Sequence, residues 1–384
     1  MQVTFPTSKY LRWKEPFPVE SGGTLPEYTL AYETFGELDD GAKNAVLVFH
    51  ALSGSARVTR TAEEFENDEG VRGWWERMVG PGRPIDTEQY FVVCANVLGS
   101  CYGSTGPASE NPATGKPFAL DFPILTVHDM VEAQLPLLDH MGIDRVLTVV
   151  GGSMGGMQAL DFAFNHPERT ASLIPLSTTP QSSAQNIAFH EVGRQAIMAD
   201  PNWRGGKYYN HEPPNVGLSV ARMVGHITYL SDASMRAKFG RRLQPNGGDT
   251  GRKHFGDQFA VESYLNYKGS SFTKRFDANS YLYITKAIDY FDLFADPRVI
   301  KAPKDRRHLW HGLKALVVSF TSDWLYPTYQ SKRLVRFLKS VGVPAAFCEV
   351  QSDYGHDAFL LEVEHQGCLV SDFLSNLYAR EVSK

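Results

Sequence analysis

An α/β fold, with a mostly parallel, doubly wound sheet and an inserted helical lid, is predicted by three observations. Short apolar runs rich in valine and aromatic residues recur before Thr178 and after Lys304. Amphipathic helical patterns separate several of them, and such alternation is the mark of a doubly wound sheet. From about Thr178 to about Lys304 the alternation stops and helical patterns dominate.

Taken in order, Tyr28–Phe35 alternates as an antiparallel edge pair would. Ala45–Phe49 (AVLVF), Tyr90–Ala95 (YFVVCA) and Val146–Val150 (VLTVV) are apolar runs. So are Ser172–Leu176 (SLIPL), Ala315–Phe320 (ALVVSF) and Ala345–Val350 (AAFCEV). Such runs belong to strands covered on both faces. Thr126 can cap a helix running to Met141, with Val127, Met130, Val131, Leu135 and Leu138 on one side. Met157–Phe164, Ser331–Ser340 and the tail after His365 also read as helices. In the middle, helices are predicted at Ser183–Ala199, Val216–Ser231, Gln258–Tyr267 and Asn279–Phe294. The polar stretch Gln244–Asp257 between two of them reads as a loop. Roughly 120 residues without a strand is too long for one crossover in a compact domain. The predicted organisation is therefore core 1–177, lid 178–304 and core 305–384.

The chain has 384 residues, 42% hydrophobic and 21% charged, an ordinary globular composition. A net charge of -5 and a pI near 6.2 leave no nucleic-acid footprint. No apolar run of about 18 residues suggests a membrane span. The opening MQVTFPTSKYLRWKEPFP lacks the apolar region of a signal peptide. Cys94, Cys101, Cys348 and Cys368 lack metal-ligand spacing, so no metal is expected, and a cytoplasmic location is the simplest reading.

The stretch VVGGSMGGMQAL, Val149 to Leu160, surrounds one serine with four glycines and no charge. It fits G-x-S-x-G, lies after a predicted strand and opens a predicted helix, which is the context of a nucleophile elbow. Small neighbours let strand and helix approach closely while the serine hydroxyl stands clear of the sheet. The absence of charge is consistent with an oxyanion held by backbone N–H groups. The N–H of Met154 is one candidate. The N–H of Leu52, in FHALSGSA after Ala45–Val48, is the other.

A nucleophilic serine needs a base and an orienting acid, here expected later in the chain. Asp323 follows Ala315–Phe320 in TSDWLYP, and His356 follows Ala345–Val350 in QSDYGHDAFL. Alone, Asp323 also reads as a turn former before Pro327, and His356 as a loop histidine. Behind an elbow, in the order Ser153, Asp323, His356, they make a catalytic triad. His50 precedes the nucleophile and reads as a packing or loop-shaping residue. The residues thus predict a serine acyl-transfer enzyme.

Longer blocks carry a resemblance. HALSG (His50–Gly54), GWWERMVGPGRPIDT (Gly73–Thr87), NVLGSCYGSTGP (Asn96–Pro107), GGSMGGMQAL, ARMVGHITY (Ala221–Tyr229), FDANSYLYITKAIDYFD (Phe276–Asp292), SDWLYP (Ser322–Pro327) and GHDAFL (Gly355–Leu360) are similar to the homoserine O-acetyltransferase family. The resemblance implies an α/β-hydrolase fold, a homodimer built through lid helices and a cytoplasmic step of methionine biosynthesis. It implies acetyl-CoA as co-substrate, L-homoserine as acceptor, no bound cofactor and a ping-pong acyl-serine mechanism. Arg222 matches the family position that binds the homoserine carboxylate, and Asp357 the one that holds its amino group. In the homoserine succinyl branch an arginine tends to follow the Asp-Trp of the acid motif. Leu325 stands there, which favours an acetyl donor.

The alternatives are a homoserine O-succinyltransferase, whose branch resembles QNIAFHEVGRQAI and ARMVGHITYLSD as closely, and a serine esterase or thioesterase. The sequence singles out no contacts for the CoA phosphates. Arg57, Arg60, Arg72 and Lys207 are available, and each reads first as a solvated surface charge.

Overall fold

In a computed structural model of the chain, which describes residues 4–5, 7–244, 255–256 and 258–383, eight strands form one central sheet. They are β1 (Lys9–Trp13), β2 (Tyr28–Phe35), β3 (Ala45–Phe49), β4 (Phe91–Ala95), β5 (Thr148–Gly152), β6 (Ser172–Leu176), β7 (Lys314–Phe320) and β8 (Ala345–Val350). Their spatial order is β1-β2-β4-β3-β5-β6-β7-β8. The β1–β2 and β2–β4 pairs are antiparallel, and every other pair is parallel.

The register explains the uniformly apolar runs. Val149 lies opposite Leu47 on one side and Leu173 on the other. These three pack in one core layer with Phe49 and Val317, while Val46, Val48, Val150, Ile174 and Val318 pack in a second. Successive side chains point to opposite faces, so a sheet covered on both sides needs apolar residues at every position.

Some expected elements differ. Tyr28–Phe35 is antiparallel as predicted, but it lies one strand inside the edge. The edge strand on that side is β1, KYLRW, an unpredicted element whose residues are mostly exposed. Charged, exposed side chains suit an edge and leave little core signal to read. The helix expected from Thr126 to Met141 is two helices, α1 (Val127–Glu132) and α2 (Leu135–His140). Thr126 does cap the first, accepting from the Asp129 N–H while the Asp129 carboxylate accepts from the Thr126 N–H. Pro136 makes one continuous helix costly, because it has no N–H to donate and its ring crowds the carbonyl four residues back.

The α3 helix (Met154–Asn165) starts at the elbow and is buried along its whole length. After Leu176 the chain leaves the sheet, and it returns at Lys314. Between them lie α4 (Ala184–Ala199), α5 (Asn215–Tyr229), α6 (Asp232–Lys238), α7 (Ala260–Thr273) and α8 (Ala278–Tyr290). The α5 helix packs against both α4 and α7. The short α6, DASMRAK, buries no residue and therefore has no apolar stripe by which to predict it. Most of the predicted loop Gln244–Asp257 lies outside the described residues. The core is closed by α9 (Thr328–Ser340) and α10 (Val363–Val382). Among the described residues no helix is long and apolar enough to cross a membrane, and no group of three metal-ligating side chains forms.

Candidate active site

Ser153 sits between β5 and α3 with φ 60° and ψ -125°, a conformation that disfavours a side chain. Such strain costs on the order of 1–3 kcal/mol and persists where surrounding contacts impose it. Here they do. The Ser153 N–H donates to the Leu176 carbonyl at 3.0 Å, and its carbonyl accepts from Thr178 Oγ1 at 2.7 Å. The glycines are required by close approach. A Cβ on Gly155 would stand 2.1 Å from the Phe49 carbonyl oxygen, and one on Gly152 would stand 2.2 Å from the Phe359 ring. The second contact matters for the site, since the Phe359 ring lies 5.5 Å from the His356 ring.

The structure brings Ser153, Asp323 and His356 to the same end of the sheet. Asp323 and His356 are both buried. Asp323 Oδ2 lies 2.9 Å from His356 Nδ1. The other oxygen, Oδ1, accepts from the N–H groups of Leu325 at 3.0 Å and Tyr326 at 2.9 Å. A carboxylate held this way fixes the proton on Nδ1 and leaves Nε2 as the nitrogen that can take one up. Ser153 and His356 share a neighbour. The Tyr326 ring is 5.1 Å from the His356 ring, and the Tyr326 hydroxyl is within hydrogen-bonding reach of the Ser153 side chain. Burial pushes the Tyr326 phenol up, so it stays protonated. The loops bearing acid and base are tied together by Ser322 Oγ, which accepts from the Gly355 N–H at 2.9 Å.

The proposed oxyanion donors belong to two elements at this site. Met154 is the first residue of α3, where N–H groups lack intrahelical partners. Leu52 follows β3. Among the described residues neither N–H is taken up by a turn or loop hydrogen bond. His50 shapes this loop. It is fully buried, with Nδ1 2.8 Å from the Ala51 carbonyl oxygen and Nε2 accepting from the Val97 N–H at 3.0 Å. Burial pushes its pKa down to about 4, so the ring is neutral.

Arg222, on α5, has no ion pair among the described residues. Its Nη1 donates to Ser53 Oγ at 3.3 Å, and its guanidinium lies 4.6 Å from the Phe272 ring and 5.5 Å from that of Tyr229. The Tyr229 ring in turn lies 6.0 Å from His356. Asp357 does not cap the short helix that follows it. Burial raises its carboxyl pKa, opposed by His356, Arg222, Lys268 and Lys238 in that order. Among the described residues neither Arg222 nor Asp357 has an ion pair; Asp357 follows His356 directly in the chain, and Arg222 faces the histidine across the Tyr229 ring. Leu325 is buried, and its carbonyl accepts from Asn186 Nδ2 at 2.9 Å, tying the acid loop to α4.

Two basic residues differ from their sequence reading as surface charges. Arg57 is 2% exposed and paired with Glu33 at 3.0 Å and Glu64 at 2.6 Å. Arg60 is 7% exposed and paired with Glu76 and Asp68, each at 3.0 Å. Arg72 and Lys207 are exposed as expected. Sequence reasoning missed Tyr326, Tyr229 and Phe359 as neighbours of the histidine. Tyr326 and Phe359 stand three residues after Asp323 and His356, but nothing local marks an aromatic ring as facing a site.

The sheet order, the elbow and the late acid and base define an α/β-hydrolase-fold enzyme, and the model of the alpha/beta hydrolase fold matches residues 44–363. The homoserine O-acetyltransferase of Solidesulfovibrio magneticus is 51% identical over 363 residues, spanning 94% of this chain and 89% of that protein. That of Caulobacter vibrioides is 50% identical, spanning 94% and 93%. The chain belongs to the homoserine O-acetyltransferase family and is an acyltransferase. Among solved structures, the homoserine O-acetyltransferase from Bacillus anthracis superimposes with a TM-score of 0.83 at 27% identity, over 97% of this chain and 98% of that one. Esterase E22 superimposes with 0.82 at 26%, over 96% and 99%.

Proposed function

We propose that this chain transfers an acetyl group from acetyl-CoA to the side-chain hydroxyl of L-homoserine, through an acetyl-Ser153 intermediate, as a step of methionine biosynthesis in the cytoplasm. His356 Nε2 takes the Ser153 proton as Oγ attacks the thioester carbonyl. The negative charge on the carbonyl oxygen is met by the N–H groups of Leu52 and Met154. Collapse expels the CoA thiolate, which takes the proton from His356. The homoserine hydroxyl then gives its proton to His356, attacks the acetyl carbon and releases Ser153, which recovers the proton. No metal and no bound cofactor enters this scheme.

One observation carries the choice of a transferase over a hydrolase on a shared fold: Arg222 and Asp357, a cation and a carboxylate without an ion pair among the described residues, lie on either side of the His356 surroundings. A zwitterionic acceptor needs a cation for its carboxylate and an anion for its ammonium, and a guanidinium suits the former. Simple ester hydrolysis needs neither. The buried, aliphatic Leu325 supports an acetyl donor, because a succinyl carboxylate is costly to bury without a partner. An apolar stripe on α5, with Val216, Val220 and Ile227 left exposed, supports a homodimer through these helices.

The test is thiol release by the purified chain with L-homoserine or L-serine, each crossed with acetyl-CoA or succinyl-CoA. Turnover is expected with L-homoserine and acetyl-CoA. Equal turnover without any amino acid would return the chain to the hydrolases.

A further inference from the structure

Beside the Leu52 loop lies a cavity of about 430 Å³. It begins at the active site, since Ala51, Ser53, Arg222 and Phe359 line it. Phe5, Trp74, Tyr102 and Leu360 supply further walls. Trp74 is held rigidly there: it stacks on Trp75 with the ring centroids 5.4 Å apart, and its indole N–H donates to the Ser55 carbonyl at 2.9 Å. The volume falls within the range of small-molecule sites, roughly 300–1,000 Å³.

The charge of this lining is one-sided. Among the described residues, four arginines and no carboxylate border the cavity. Arg57 is neutralised by Glu33 and Glu64. Arg72, Arg222 and Arg275 have no ion pair among the described residues. Arg222 is the half-buried one, while Arg72 and Arg275 are exposed and so form the rim. Arg275 is also anchored. Its Nη1 donates to the Tyr102 hydroxyl at 2.6 Å and lies 3.4 Å from the Ser53 carbonyl oxygen, and its guanidinium stands 5.1 Å from the Phe272 ring. Ser53 therefore holds one arginine by its hydroxyl and another by its carbonyl.

We infer that this cavity seats the arm of the acyl donor's coenzyme, and that Arg72 and Arg275 meet the phosphates at its outer end. The inference rests on the donor reading above. A coenzyme thioester has an uncharged amide arm between a reactive carbonyl and a polyanionic tail. Apolar walls beside an active site, together with exposed arginines, match those parts. L-Homoserine has one carboxylate, for which Arg222 suffices, so the rim pair serves no need of the acceptor. Because Arg222 lines the cavity as well, arm and acceptor crowd the same residue, and the coenzyme must leave before the acceptor settles.

The experiment compares two donors, acetyl-CoA and acetyl-pantetheine, the same thioester without phosphates. They are run with wild type, Arg72→Gln, Arg275→Gln and the double variant. Each single substitution is expected to lower kcat/KM for acetyl-CoA by roughly fivefold, chiefly through KM, as loss of a partly screened charge contact does. The loss with acetyl-pantetheine should be much smaller. Wild-type kcat/KM for acetyl-CoA should fall as salt rises, and the double variant should flatten that dependence. Equal losses with both donors would mean that the arginines only shape the Leu52 loop. No loss with acetyl-CoA would mean that the phosphates bind elsewhere. Either result overturns the inference. A wild type that uses neither thioester overturns the donor reading itself, which is a distinguishable failure.

Discussion

The Tyr326 ring lies 5.1 Å from the His356 ring, with its hydroxyl within reach of the Ser153 side chain and its backbone N–H 2.9 Å from Asp323 Oδ1. One residue thus borders all three members of the proposed triad. Tyr326→Phe keeps the ring and removes the hydroxyl. Acetylation of Ser153 is expected to slow by about tenfold, the worth of one modest hydrogen bond, with the thermal midpoint nearly unchanged. A pre-steady-state burst of CoA release reads that step alone. An unaltered burst would make Tyr326 a packing residue only.

Ser153→Ala should abolish the acetyl adduct seen by intact mass after incubation with acetyl-CoA. Turnover should fall by several orders of magnitude, as removal of a triad member does elsewhere. A folded Ser153→Ala protein with near-normal turnover would exclude the mechanism. Alanine keeps the Cβ and so the strained φ, and the thermal midpoint should therefore change little.

Arg222→Ala and Asp357→Ala should separate the two half-reactions. Acetylation of Ser153 should persist, while transfer to L-homoserine slows by roughly 100-fold, the cost of a charge-assisted contact in a desolvated site. Hydrolysis of the acetyl-enzyme should rise relative to transfer. Single-turnover mass spectrometry with and without homoserine reads both. Wild-type transfer in both variants would remove the anchor model.

Leu325→Arg should shift the preference towards succinyl-CoA by placing a cation in a buried, aliphatic position. The readout is the ratio of kcat/KM for the two donors. The ratio should move towards succinyl-CoA even if total activity drops. A wild type that already prefers succinyl-CoA contradicts the donor assignment.

His50 predicts a pH dependence of stability. Burial lowers its pKa in the folded chain to about 4, whereas an unfolded histidine titrates near pH 6.5. Between those values the unfolded state binds the extra proton, so stability present above about pH 6.5 is lost as pH falls towards 4. The slope approaches about 1.4 kcal/mol per pH unit for one proton. The His50 ring should show no titration by NMR between pH 7.5 and about 5. His50→Gln, which can still donate to Ala51 and accept from Val97, should unfold with a shallower pH slope in that range.

Some parts of the site are legible in the chain because their cause is local. The elbow needs small residues within a few positions of Ser153, and those glycines are adjacent in sequence. Asp323 and His356 each follow a run apolar enough to be recognised as a buried strand. The resemblance of long blocks to one family reaches further than composition could, and relatives about 50% identical agree with it. Arg57 and Arg60 were illegible. Their partners Glu33 and Glu64, Asp68 and Glu76 are charged residues like any others until the chain folds. The break between α1 and α2 was readable from Pro136, but the apolar periodicity on either side of it masks the interruption.

The alternation of buried strands and amphipathic helices, the strandless middle, the elbow and the chain order of Ser153, Asp323 and His356 are legible in local stretches of chain. These follow from periodicity and from residues adjacent to one another, where backbone geometry dictates what side chains do. Which cations have no carboxylate partner among the described residues is settled only when distant segments meet. Arg222, from α5, meets Ser53, which lies 169 residues earlier, and Arg275 meets Tyr102, 173 residues earlier. Whether a charge is neutralised in a core or left facing a cavity depends on desolvation and on partners brought from distant segments. Those are properties of the folded surface and not of any stretch of chain.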